Sequence, residues 1–101
     1  MTSPEPRFAK IAAMIGDPTR ARMLAALMGG EFMAAGELAQ AAGVTPQTAS
    51  THIAKLVDAE LVVTRSQGRH RYFRLADADI AHALEALSKA TSLSPSWAAS
   101  S

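Results

Sequence analysis

Apolar residues recur along this chain at two different periods, and the change from one to the other divides it. From Phe8 to Val57 the spacing is helical, and from Leu61 to Leu75 it is close to two. Phe8, Ile11, Ala12 and Ile15 form one stripe, closed by Gly16. Asp17-Pro18 then marks a helix start, because Asp caps free N–H groups and Pro suits the first helical position. Ala21, Leu24, Ala25, Leu27 and Met28 are its expected buried face, and Gly29-Gly30 stop it. A third helix is expected over Gly36 to Ala42, with Leu38 and Ala39 inward and Gly43 as its stop. Its start is weakly marked, since Ala34 stands where a capping Ser or Thr belongs. Val44 leads directly into a fourth helix capped by Thr45, with Pro46 next and Ala49, Ile53, Leu56 and Val57 inward. Two short helices joined by so tight a turn form a helix-turn-helix.

Leu61 to Arg65 and Arg71 to Leu75 read as two β-strands around a loop Ser66-Gln67-Gly68-Arg69-His70. Asp77 caps a last helix whose inner face carries Ile80, Ala83, Leu84 and Leu87. The expected fold is mainly α with a small β-hairpin, in the order α-α-α-α-β-β-α of a winged helix-turn-helix. Residues 1–7 are expected to be a flexible lead-in, 8–90 the folded domain and 91–101 a flexible tail.

Composition narrows what such a domain can do. The 101 residues are 49% hydrophobic, with alanine prominent, so one small-residue core is available and a subunit interface would support it. There is no cysteine, which excludes disulfides, thiolate metal sites and cysteine redox sensing. MTSPEPRFAK lacks the charged-then-apolar order of a signal peptide, and no apolar run reaches the length of a membrane span. A cytoplasmic location and no membrane association are expected. No nucleophile–base pair, phosphate-cradling glycine loop or convergent carboxylates suggest an enzyme.

The net charge of +1 conceals its distribution. Lys55, Arg65, Arg69, Arg71 and Arg74 fall within twenty residues, opposed there only by Asp58 and Glu60, so that segment is net +3 and the remainder net −2. A basic patch on a near-neutral domain suits a polyanion, although a solvated charged face has the same composition. The fourth helix turns Gln47, Thr48, Thr51, His52 and Lys55 away from its apolar stripe. These short hydrogen-bonding side chains allow a helix to approach base edges in a DNA major groove. The hairpin tip adds guanidinium groups suited to phosphates or a minor groove.

Three segments in sequence, DPTRARMLAAL, ELAQAAGVTPQTASTHIAKLVDAELV and the R-x-x-G-R-x-R-Y-F-R-L run of residues 65–75, resemble the ArsR/SmtB family of bacterial winged-helix transcriptional regulators. The resemblance covers residues 8 to about 90. It implies a homodimeric repressor on an imperfect palindromic operator, with double-stranded DNA and a second copy of the chain as partners. It also implies a dimer interface from the first and last helices, here Phe8, Ile11, Ile15, Ile80, Leu84 and Leu87. The candidate DNA contacts are Thr45, Gln47, Thr48, Ser50, Thr51, His52 and Lys55 on the helix and Arg65, Gln67, Arg69 and Arg71 on the hairpin. Ser50 could instead pack between helices, and His52 could be structural. Arg74 is read as a plain strand residue.

The family's metal sites do not carry over. No cysteine is available, and Asp79, His82 and Glu85 lack an upstream Asp-x-His partner, so no metal or other cofactor is expected and the effector stays unidentified. Some relatives of this pattern are about twice as long, which makes this chain either a short member or the DNA-binding part of a longer one. A winged-helix module that contacts protein rather than DNA is the competing reading. Steep salt dependence of binding would separate the two.

Overall fold

Several of the helix termini in the molecule trace to a local hydrogen-bonding need. The computed structural model describes residues 6–91. It contains α1 (Pro6–Met14), α2 (Pro18–Leu27), β1 (Met33–Ala34), α3 (Ala35–Ala42), α4 (Pro46–Asp58), β2 (Val62–Gln67), β3 (His70–Leu75) and α5 (Ala78–Thr91). Asp17 caps α2 by accepting the Arg20 N–H through Oδ2 at 3.0 Å, and Thr45 caps α4 by accepting the Thr48 N–H at 3.2 Å. Asp77 does the same for α5, accepting from Ile80 N at 3.2 Å. At α3 only half of a capping box is available. The Glu37 carboxylate accepts the Ala34 N–H at 2.9 Å, but Ala34 has no side-chain oxygen to return the bond.

The α3–α4 turn depends on Gly43. Its φ of 71° lies in the left-handed region, and the chain reverses there while Val44 N–H reaches back to the Ala39 carbonyl at 3.0 Å. A Cβ at Gly43 would meet nothing within 4 Å, so the cost of substituting it is conformational alone. Gly43→Ala should therefore destabilise the fold by about 1–2 kcal/mol. Gly36, exposed inside α3 and also unobstructed, should gain up to about 1 kcal/mol as alanine. Denaturant midpoints of the two variants should move in opposite directions. Movement in the same direction would count against this account of the turn.

The hairpin differs from expectation in two respects. β2 runs two residues and β3 one residue closer to the tip than the apolar pattern indicates, leaving the two-residue loop Gly68-Arg69 instead of the five-residue loop Ser66–His70. Gly68 has φ 61° while Arg69 has no positive φ, the arrangement a type II′ turn requires. The sheet also has a third strand that the sequence did not reveal. β1 pairs antiparallel with β3, Met33 opposite Phe73 and Ala34 opposite Tyr72, giving the strand order β1-β3-β2.

Leu24, Leu27, Leu38, Ile53, Leu56, Leu61, Phe73 and Ile80 lie in one buried cluster under all five helices and the sheet. Met23, absent from the stripe expected for α2, is fully buried, whereas Ala21, Ala25 and Met28 are half-buried. α2 packs against α3, α4 and the sheet, so more than one of its faces is covered. α1 begins at Pro6, within the expected lead-in. Residues 1–5 and 92–101, the rest of the lead-in and nearly all of the expected tail, lie outside the described residues. Among the described residues no helix is long and apolar enough to cross a membrane.

Candidate nucleic-acid interface

α4 presents two unlike faces. Ala49, Ile53 and Leu56 are buried, while Gln47, Thr48, Ser50, Thr51, Ala54 and Lys55 are exposed. The exposed face is short and polar for three turns, ending in one ammonium at Lys55. Its hydroxyls are already oriented. Thr45 Oγ1 donates to Thr48 Oγ1 at 3.1 Å and Thr51 Oγ1 donates to the Gln47 carbonyl at 3.4 Å, leaving lone pairs outward. Ser50 is exposed rather than packed between helices.

His52 departs from this face. It is half-buried and turned toward the start of α2, with Nδ1 at 3.5 Å from an Arg20 guanidinium nitrogen and 3.8 Å from Asp17 Oδ2. Of the two roles expected for His52, base contact or structural residue, the geometry favours the second: its Nδ1 edge is directed to α2, where Asp17 and Arg20 offer it partners. The Arg20 backbone N–H, chiefly, holds the Asp17 carboxyl below its usual range, and the charges of His52 and Arg20 add to that against some desolvation.

Strand pairing assigns the hairpin cations to opposite sides of the sheet. Thr64 pairs with Phe73 and Ser66 with Arg71, so Ser66 and Arg71 share the side that carries buried Phe73. There the Arg71 guanidinium lies 5.6 Å from the Phe73 ring centroid. With Ser50, Ala54, Asp58 and Phe73 it lines an open groove of about 310 Å³ between α4 and β3. Arg65 and Arg74 occupy the other side, where both guanidinium groups stack on one ring, Phe32, at 5.5 and 4.7 Å. Gln67 and Arg69 are exposed at and beside the tip. Arg74 and Phe32 thus join Arg65 in a cluster that the sequence did not indicate. Residue 32 lies next to a two-residue strand, and only the pairing across β1, β3 and β2 brings the three together.

The apolar stripes of α1 and α5 largely satisfy each other. The two helices pack together, and Ile11, Ile80 and Leu84 are 2%, 0% and 5% exposed, inside the chain's own core. Of the six residues expected at a dimer interface, Phe8 is 42% exposed, and Ile15 and Leu87 are half-buried. His82 and Glu85 are exposed on α5, and no group of three or more potential metal-binding side chains occurs among the described residues.

Comparison with known proteins places this geometry in context. A helix-turn-helix domain family matches residues 15–65. The chain is 49% identical over 82 residues to YdfF, an uncharacterized HTH-type transcriptional regulator of Bacillus subtilis, covering 81% of this chain and 36% of that protein. It is 38% identical over 80 residues to the HTH-type transcriptional regulator CmtR of Mycobacterium tuberculosis, covering 79% of this chain and 67% of that one. The chain thus spans only about a third of YdfF and two thirds of CmtR. Among solved structures, a homodimeric winged helix-turn-helix DNA-binding domain of Mycobacterium bovis, Mb0332, described as a possible ArsR-family regulator, superposes with a TM-score of 0.74. The identity is 26%, over 85% of this chain and 79% of that one.

Proposed function

Because the chain belongs to the ArsR family of winged helix-turn-helix transcriptional regulators, we propose that it acts as a homodimeric repressor on an imperfect palindromic operator. In this reading α4 enters the major groove and reads base edges through Gln47, Ser50 and Thr51, with Lys55 and the Thr45–Thr48 end of the helix against phosphates. Arg69 at the hairpin tip and Arg71 beside the groove neutralise flanking phosphates, and Gln67 adds a polar contact. Arg65, stacked on Phe32, is a secondary phosphate contact from the far side of the sheet.

The observation that carries the reading is the juxtaposition of two surfaces. A helix face of short polar side chains stands across an open groove from Arg71, and the groove is lined by Ser50 on one side and Arg71 on the other. The strand of DNA backbone that separates a major from a minor groove would run between α4 and the hairpin. Repression follows the family's habit and the dimer follows the resemblance, with Phe8 the most exposed large apolar side chain among the described residues. An enzymatic role is set aside, since the relatives are transcriptional regulators.

Selection of bound duplexes from a random library at near-physiological salt tests this directly. We expect an imperfect palindrome with half-sites about one helical turn apart, about 10–10.5 base pairs. Recovery of sequences with no shared motif would contradict specific readout.

A further inference from the structure

We propose that Arg20 and His52 act as a single positioning device for α4, so that His52 serves DNA recognition without touching a base. The inference rests on the DNA-binding reading above. Arg20 lies in the first turn of α2 and has three connections there. Its backbone N–H donates to Asp17 Oδ2 at 3.0 Å, its Nε donates to the Met14 carbonyl at 3.0 Å, and its Nη1 stands 3.5 Å from His52 Nδ1. The end of α1, the cap of α2 and the middle of α4 therefore meet at one residue.

The chemistry of the group explains why arginine is needed. A guanidinium presents donors in a rigid plane, so Nε and Nη1 can serve two acceptors at once, whereas a lysine ammonium is a single point on a flexible stem. The guanidinium can only donate, so the contact is a hydrogen bond in the tautomer that leaves Nδ1 free to accept. At 3.8 Å the Asp17 carboxylate is too far from Nδ1 for a hydrogen bond, so Arg20 is the partner that holds the ring. His52 is next to Thr51 and three residues before Lys55, both on the exposed face. Holding His52 therefore fixes the rotation of that face about the helix axis. Base-edge hydrogen bonds are directional, so a small rotation of α4 would disturb all of them together.

A double-mutant cycle on the duplex recovered by selection tests the device, using Arg20→Lys, His52→Ala and the double variant at a temperature where each is folded by circular dichroism. Each single change should weaken binding about tenfold, and the double variant should be no more than about twofold worse than the weaker single, the non-additivity of groups that act as a unit. The salt slope should stay unchanged, because no phosphate contact is lost. His52→Asn, whose amide oxygen can occupy the place of Nδ1, should recover most of the affinity. Losses that multiply to about a hundredfold in the double variant would overturn the proposal. So would a loss of preference confined to one base pair in His52→Ala, which would make His52 a reader. If the unmodified chain selects no duplex at all, the DNA-binding reading itself fails and this inference with it.

Discussion

Leu56→Ala should destabilise the domain by about 2–5 kcal/mol and lower its melting temperature by on the order of 10–25 °C. Leu56 is 1% exposed and sits on the inner stripe of α4, between α3 and the sheet. The cluster it belongs to includes Ala39, Ala42 and Ala49, which have no side-chain length with which to fill a void. A domain of this size is held by roughly 5–15 kcal/mol, so the loss is a large share of the total. Val63→Ala, at an exposed position of β2, should stay within about 1 kcal/mol of the unmodified chain and serves as the control. Thermal unfolding of both variants decides the matter. A cost below about 1 kcal/mol for Leu56→Ala would mean that the core collapses around the void and is not packed as described.

The second large effect concerns DNA and divides the interface into two kinds of contact. Arg69→Ala and Arg71→Ala should weaken binding to every duplex alike and lower the slope of log affinity against log salt by about one for each guanidinium lost. Gln47→Ala and Thr51→Ala should leave that slope unchanged and relax preference at individual base pairs by about 1–3 kcal/mol. The structure refines the expectation for Arg65. Its guanidinium is on the Phe32 side of the sheet, away from the groove that Arg71 shares with Ser50. Arg65→Ala should therefore change the slope less than Arg71→Ala does. Titrations of the selected duplex at several salt concentrations measure all five variants. Equal slopes and equal loss of preference throughout would abolish the division into readers and phosphate contacts.

These consequences differ in how visible they are in one dimension. α2 and α4 were legible because Asp17-Pro18 and Thr45-Pro46 combine a cap with a pre-set φ, and Gly43 marks the turn between α3 and α4. The polar face of α4 was legible for the same reason that its inner face was, since helical period assigns both. The end of α4 was less so. Glu60 takes up the left-handed conformation there with φ 63°, where a glycine would have marked it.

The outer half of the hairpin is polar on both sides of the sheet, so Ser66, Gln67, His70 and Arg71 show no alternation and the strands seemed shorter than they are. β1 has two residues and exists only by pairing with β3. Contacts across the fold are invisible to periodicity altogether. Arg20 and His52 are 32 positions apart, and Phe32 meets Arg65 and Arg74 only through strand register. The stripes of α1 and α5 were correctly apolar, but a pattern cannot say whether two such faces cover each other or a second chain. Here Ile11, Ile80 and Leu84 are covered within the chain.

The most direct test is a nuclear magnetic resonance titration of the 101-residue chain with the selected duplex, following backbone amide shifts. The account predicts that the largest changes run from Thr45 to Lys55 along α4 and from Ser66 to Arg71 around the hairpin tip, with the outward surface of α5 little affected. Changes concentrated on α1 and α5, or spread without a cluster on α4, would contradict it.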